Sequence, residues 1–451
     1  MDVTEATRRR PFRGWLRSLR RSRDLILAPD LPDGDAARVV KAIDDVLGQR
    51  ETNEQRAAAE RVLLAYDRLD SAGRRRFLEL LARDFGSDTA ALDRAVDHLR
   101  VAHTESERLV AERELRRAVV PRYAAWLHVI TGLPRGVGFL AEMRADLLAL
   151  RSDDPALGML DDELTGHLST LFDVGLLGLR QITWDSPASV LERLMATEAV
   201  HAIANWDDLR HRLDGDQRCY AFFHPALEHE PIVFVEIALT HGLADNLPEL
   251  LNRADAIDDP DAAIFYSITS AQPGLAGVHL GNELIKQVVD ALRVENDHLK
   301  TFATLSPLPG FRAWLRAELD ERGLTPAETE LLGPDARAIA ELTDRGWIGD
   351  PARWERLRPG LLSAAARYLT SVREGRALDP VANFHLSNGA SLERINWMAN
   401  PAEYGVDESL GLMVNYRYDR SKIAGNAAAY LTEGEISSSS QVRNLVKTTK
   451  L

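Results

Sequence analysis

The sequence predicts an α+β protein of more than one domain, with an N-terminal all-α helical bundle followed by an α/β domain built on a mixed sheet. Three observations carry that expectation. At 451 residues the chain exceeds what a single hydrophobic core fills. From about residue 35 to residue 173, apolar residues recur at helical spacing between short turns. After Trp184 the texture changes to short runs rich in β-branched and aromatic residues, with helical patterns between and after some of them.

In the first region Val39, Val40, Ile43, Val46 and Leu47 lie at helical spacing. So do Val62, Leu63, Tyr66 and Leu69, and then Phe77, Leu80, Leu81 and Phe85. Asp70-Ser71-Ala72-Gly73 and Gly86-Ser87-Asp88 read as turns between these runs. Thr104 and Glu107 have the spacing of a capping box ahead of another helix. Short loops between long amphipathic helices predict an antiparallel bundle. Nothing here demands chemistry. The stretch reads as an interaction module through which the chain forms a homo-oligomer, a dimer or a tetramer.

In the second region RCYAFFHP, PIVFVEIALT, AAIFYSIT and KTFATLS read as strands, with HPALEHEP as a hairpin loop. A helical excursion fills about 310–375. The chain then returns to the sheet with LGLMVNYRY and ends in a helix. The serine-rich SSSSQ near Ser437 reads as a solvent-exposed turn. The expected boundaries are a basic arm at 1–30, a helical domain at 31–173 and a catalytic domain at 174–451.

Totals exclude several classes of function. The formal net charge of −14 disfavours a general nucleic-acid partner. No run reaches the roughly 18 apolar residues of a membrane helix, so no membrane partner is expected. The single cysteine, Cys219, rules out an intrachain disulfide and reads as inert core. Cys219, His224, His229 and His241 are close in sequence, but their spacing matches no zinc motif. No metal is expected. The arginine-rich MDVTEATRRRPFRGWLRSLRRSR reads as a basic arm rather than a transit peptide. The Ala/Arg/Asp-rich composition reads as bacterial and cytoplasmic. A mitochondrial address, or a peroxisomal one from the C-terminal TKL, would apply only to a eukaryotic chain.

The most informative stretch is AAIFYSITSAQPGLAGVHLGNELIKQVVD. Ile264 to Thr269 form an apolar strand, and Leu284, Ile285, Val288, Val289 and Leu292 form one face of a helix. Gly274, Gly277 and Gly281 lie between them, where glycine lets backbone approach a ligand and the helix N-terminus favours an anion. The spacing is neither a P-loop nor a dinucleotide fingerprint. By glycines alone, a pyrophosphate cradle and a plain strand–turn–helix connection stay open. The order of strand, Gln272-to-Gly277 loop, helix and strand approximates the coenzyme A pyrophosphate site of GNAT-fold proteins.

Longer strings sharpen this. FYSITSAQPGLAGVHLGNELIKQVV, LSPLPGF, DPVANFHLSNGASLERINWMA, GLMVNYRY and ITWDSPASVLERLMATEAVH resemble the malonyl-CoA decarboxylase family, in order, from about Ile182 to Tyr418. The resemblance implies a helical domain followed by a GNAT-like catalytic domain. It implies decarboxylation of malonyl-CoA to acetyl-CoA and carbon dioxide, with the coenzyme A thioester as substrate and no separate cofactor. It places coenzyme binding on Ala276, Gly277, Val278, His279, Leu280, Gly281 and Asn282, and catalysis on Ser306 and His385 with Tyr418 close by. His279 departs from the family's pattern, which carries glutamate there. The chemistry suits these residues, because the thioester carbonyl is itself the electron sink. Backbone N–H groups of a splayed strand can stabilise the enolate. A histidine titrating near its ordinary value of about 6.5 can donate a proton at neutral pH, with Ser306 as its partner. The competing readings are an acyltransferase of the same fold and a non-catalytic coenzyme A-binding protein.

Overall fold

The computed structural model describes residues 25–48, 53–150, 153–252, 257–278, 280–322, 330, 336–341 and 345–448. Most of the basic arm and His279 therefore lie outside the described residues. The chain divides into two compact units. One comprises the residues up to Asp173 together with Gln272–Val278, and the other comprises Val174–Ala271 and His279 onward.

The first unit is built of helices. They are α1 (Asp33–Gly48), α2 (Asn53–Tyr66), α3 (Ser71–Asp84), α4 (Thr89–Val101), α5 (Glu105–Ala118), α6 (Arg122–Thr131), α7 (Gly136–Ala149) and α8 (Pro155–Leu171). The heptad-like spacing of α1 buries Val39, Ile43 and Val46 on one stripe. An aromatic cluster ties α2, α3, α6 and α7 together. Tyr66 meets Phe77 edge-on at 4.9 Å and Phe139 at 5.3 Å, with Trp126 against both phenylalanines. The capping box of α5 is present in full, with Glu107 N–H on Thr104 and the Glu107 carboxylate returning to the Thr104 N–H. Asp70 to Gly73 is not a free turn. Asp70 is the N-cap of α3 and accepts the Gly73 N–H at 2.9 Å, so these residues start the helix.

The second unit is a mixed sheet with helices packed on it. Its strands are β1 (Gly178–Ile182), β2 (Gln217–Phe223), β3 (Pro231–Thr240), β4 (Ala262–Ser270), β5 (Thr301–Thr304), β6 (Ser306–Pro307), β9 (Ser391–Asn396) and β10 (Met413–Arg417). A two-residue ladder, β7 (Val372–Arg373) with β8 (Arg376–Ala377), stands apart. The order is β1-β2-β3-β4-β5-β10-β6, with β9 paired to β10. The first four strands are antiparallel neighbours, and β4 to β5 is the parallel step. β3 is buried along its whole length, and its run is apolar apart from Glu236 and Thr240.

Two irregularities prepare the site. The β3–β4 register shifts between Glu236 and Ile237, which places a bulge around Tyr266. The β4–β5 ladder runs only from Ala262↔Thr301 to Phe265↔Thr304, while β4 continues to Ser270 beside β3. The two parallel strands therefore splay beyond Phe265.

The helices of this unit that matter below are α12 (Gly281–Glu295), which follows β4, α16 (Pro380–Ser387) and α18 (Ile423–Glu433). The apolar stripe of α12 buries Leu284, Ile285, Val288 and Leu292, while Val289 is half-buried. The expected helical excursion is present as helices Phe311–Ala317, Ala336–Ala340 and Pro351–Thr370. The serine run is not a solvent-exposed turn. Ser437 to Ser439 are half-buried, Leu392 N–H donates to Ser437 O, and Ser439 N–H donates to Leu392 O. Unpaired backbone at the edge of β9 captures the segment.

Candidate active site

Thr304 ends β5, and Ser306 opens the short β6 that pairs with β10. Pro307 follows Ser306 and sets its exit from the ladder. His385 comes from α16. Asp379 accepts the Ala382 N–H at 2.8 Å and Pro380 takes the first helical position, which fixes where the helix begins. Tyr418 lies just past β10, its N–H held by Phe302 O at 2.8 Å.

These three elements bring Ser306, His385 and Tyr418 together. Ser306 Oγ lies 3.2 Å from His385 Nε2, and His385 Nδ1 lies 2.7 Å from the Tyr418 hydroxyl. The imidazole is stacked on Tyr416 at 4.5 Å between centroids. The Ser306 hydroxyl donates to Thr304 Oγ1 at 2.9 Å, and Thr304 Oγ1 also accepts the Tyr416 N–H at 3.1 Å. A donor order follows. With its own proton committed to Thr304, Ser306 Oγ accepts from His385 Nε2–H. Nδ1 is then bare and accepts the Tyr418 O–H.

The electrostatics differ from the sequence expectation. Burial pushes the His385 imidazole down to about 3, far below its ordinary 6.5. A cation there would lose its hydration with no carboxylate to offset the loss, so the ring is neutral at pH 7. Burial also raises the Tyr418 phenol well above its ordinary value. The cluster is a chain of neutral hydroxyl and imidazole groups, not an imidazolium acid.

The glycine loop is held differently from the sequence reading. Its three glycines serve three purposes. A Cβ on Gly274 would sit 1.8 Å from Ala141 O, so that glycine lets the loop lie against α7. A Cβ on Gly281 would meet the Phe384 ring at 2.9 Å. Only Gly277 combines a left-handed φ of +83° with open space beside it. Arg144 of α7, buried to 4% exposure, donates to the carbonyls of Gly274 and Ala276 at 2.7 Å each and pairs with Asp161 at 2.8 Å. The loop ends in Leu280, the N-cap of α12, which makes no side-chain cap bond. Leu280 therefore leaves the first-turn N–H groups of α12 without a cap from its own side chain.

Sequence reasoning missed Arg144 and Thr304. Neither carries a motif; the loop carbonyls that Arg144 holds lie 130 and 132 residues away, and Thr304 joins Ser306 to Tyr416, 112 residues on. Cys219 is fully buried in β2, where desolvation raises its thiol well above the ordinary value. Among the described residues no group of three or more His, Cys, Asp or Glu is placed to hold a metal ion. No helix among them is long and apolar enough to cross a membrane.

Comparison with known proteins is consistent along the chain. The malonyl-CoA decarboxylase C-terminal domain model matches residues 175–451, and the N-terminal domain model of the same family matches residues 85–172. The chain is similar to the mitochondrial malonyl-CoA decarboxylase of Anser anser anser, 37% identical over 422 residues, which covers 87% of this chain and 83% of that one. The Rattus norvegicus protein is 38% identical over 405 residues, covering 84% and 82%. Among solved structures, malonyl-CoA decarboxylase from Rhodopseudomonas palustris superposes with a TM-score of 0.83 at 38% identity, covering 91% of this chain and 99% of that chain. The Agrobacterium vitis structure gives 0.83 and 38%, covering 90% and 99%.

Proposed function

Because this chain belongs to the malonyl-CoA decarboxylase family, we propose that it decarboxylates malonyl-CoA by delivering a proton through the neutral chain Tyr418–His385–Ser306. The observation that carries the reading is the continuous hydrogen-bonded path from Tyr418 through His385 to Ser306.

The reaction breaks the bond between the α-carbon and the carboxylate. Its electron pair moves into the thioester as an enolate, and carbon dioxide leaves. One proton must then reach the α-carbon. A thioester enolate is a far stronger base than an alcohol's or a phenol's conjugate base, so a neutral hydroxyl suffices as the donor. Ser306 turns its O–H from Thr304 toward the α-carbon and transfers it. His385 Nε2–H replaces that proton, and Nδ1 takes one from Tyr418. The imidazole ends as the opposite tautomer without becoming a cation. That agrees with a site whose burial holds its pKa near about 3. Solvent protonates Tyr418 as it gives up its own proton, so no buried phenolate persists. A second proton, entering at Ser306 and leaving at Tyr418, restores the Nε2–H tautomer.

The splay of β4 from β5 supports a place for the thioester. Backbone N–H groups of β4 beyond Phe265 can face the enolate oxygen, where one such donor is typically worth roughly 3–4 kcal/mol in the transition state. The loop Ala276 to Asn282, leading into the uncapped first turn of α12, receives the coenzyme's phosphates. Arg144 keeps that loop in one conformation.

The test is incubation of the purified protein with malonyl-CoA alone in D₂O, followed by mass spectrometry. Acetyl-CoA carrying one deuterium, formed without any acceptor amine, is the expected product. Unchanged malonyl-CoA would sink the reading, and acyl transfer to an added amine would replace it with an acyltransferase.

A further inference from the structure

The parallel β4–β5 ladder ends at Phe265↔Thr304, and the Leu305 N–H still reaches Phe265 O at 3.0 Å. Beyond that point the two strands diverge and turn to other neighbours. Ile268 of β4 pairs with Val235 of β3, and Ser306 of β6 pairs with Val414 of β10. Ile268 and Ser306 therefore stand on the two banks of one gap, and among the described residues no strand fills it.

The direction of the Ile268 side chain follows from its neighbours, because side chains alternate along a strand. The Ser267 and Thr269 hydroxyls both donate to the Glu198 carboxylate, at 2.8–3.0 Å. Ile268, between them, points the other way, toward Gly281 at the start of α12. Helix α16 closes the same spot. It carries His385 to Ser306 and the preceding Phe384 to Gly281. A Cβ built on Gly281 would lie 2.9 Å and 3.1 Å from two atoms of the Phe384 ring and 3.9 Å from Ile268 Cγ2. The ring tip and the methyl group thus converge on one point, and as packed they leave no room there for an added carbon. Phe384 also stands edge-on to His385, with 5.0 Å between centroids. Both apolar side chains are half-buried, so neither is spent wholly on the core.

With the thioester oxygen on a β4 N–H and the proton coming from Ser306, the α-carbon lies in this gap, beside Ile268. We propose that Ile268 and Phe384 determine acyl specificity, as an apolar wall that admits an unsubstituted α-carbon and excludes one bearing a methyl branch. The proposal rests on the decarboxylation reading above and names its substrate class: acyl groups with a bare methylene between thioester and carboxylate. The selection is steric, since neither side chain offers a hydrogen bond.

The test compares the full-length protein with Ile268→Ala and Ile268→Val. It measures kcat/KM for malonyl-CoA and methylmalonyl-CoA, and calorimetric affinities for the corresponding products, acetyl-CoA and propionyl-CoA. Melting temperatures check that each variant folds. An apolar pocket discriminates one carbon by roughly 10–200-fold, and the unaltered protein should prefer malonyl-CoA within that range. Ile268→Ala should cut the preference by about tenfold, mainly through faster turnover of methylmalonyl-CoA, and Ile268→Val should cut it by less. Propionyl-CoA should bind more weakly than acetyl-CoA to the unaltered protein and about equally to Ile268→Ala. If Ile268→Ala does not fold, the single methyl group removed in Ile268→Val still reads the direction. Equal use of both substrates by the unaltered protein, or a preference unchanged in the folded variants, overturns the proposal. Absence of turnover, with the affinity difference present and lost in Ile268→Ala, would support the wall and count against the decarboxylation reading. Absence of both turnover and affinity difference overturns the two together.

Discussion

The Glu198 carboxylate and the Ser306 hydroxyl are both buried in the sheet domain among hydroxyl side chains, yet their surroundings are wired in opposite senses. Glu198 accepts the N–H groups of Val200 and His201 at 2.8 Å each, and the hydroxyls of Ser267 and Thr269 at 2.8–3.0 Å. These four donors converge on one carboxyl group. Nearby, Arg212 is paired with Glu236 at 3.3 Å, and burial with the neighbouring Glu198 raises that second carboxyl to about 8. Around Ser306 the protons sit on neutral groups that can pass them on by rotation or by tautomer exchange. A buried serine beside a carboxylate has its proton committed. Ser306 instead donates to a neutral hydroxyl and accepts from a neutral imidazole, so rotation can free its proton. The difference separates a network that holds the sheet together from one that can do chemistry, although both contain serine, threonine and histidine.

Substitutions can break that contrast. His385→Ala should lower kcat by roughly 10²–10⁴ with little change in KM, measured as carbon dioxide release at saturating malonyl-CoA. A near-normal rate would remove the relay from the reaction. Glu198→Ala should do the reverse. It strands two hydroxyls and two backbone N–H groups, costs about 3 kcal/mol of stability in denaturant unfolding, and leaves kcat per folded molecule intact. A large loss of kcat at full stability would show that Glu198 is no mere scaffold.

Smaller changes sharpen the picture. Tyr418→Phe should cost about tenfold in kcat, since it removes the far donor but leaves Ser306 and His385 in contact. Arg144→Lys should raise KM several-fold at nearly constant kcat, because an ammonium cannot hold the Gly274 and Ala276 carbonyls and Asp161 in one fork. An equal fall in kcat would place Arg144 in the chemical step.

The smallest expected effect is a null one. Because the folded His385 imidazole titrates near about 3 rather than 6.5, kcat should stay level from about pH 5 to pH 7. An acid limb centred near 6.5 and lost in His385→Ala would identify an imidazolium donor. The stability linkage has a definite sign. Between about 3 and 6.5 the unfolded chain binds a proton at this position and the folded chain does not, so His385 weakens the fold progressively as pH falls through that window.

Much of the architecture could be read from local pattern. The Thr104–Glu107 box, the apolar stripe of α12 and the largely apolar run of β3 each reflect forces acting within one element. Errors arose where a local signal had a distant cause. Gly274 and Gly281 read as ligand-approach glycines from the local pattern alone, which could not show that the first also makes room for α7 and the second for Phe384. Ser437 to Ser439 looked like a polar turn but satisfy the edge of β9. Arg144 was invisible because its partners lie 130 and 132 residues away.

By itself the sequence determined the two textures of the chain, the strand–loop–helix at Ile264 to Leu292 and the strings that mark the family, all of them properties of neighbouring residues. Only the tertiary structure decided the protonation state of His385. Ser306 and His385 are 79 residues apart, and Tyr418 is 33 further on. Packing these segments together strips water from the imidazole and supplies no counter-charge, so its pKa falls by burial alone. Desolvation is a property of the assembled fold, and it leaves neutral a histidine whose sequence context suggested an acid.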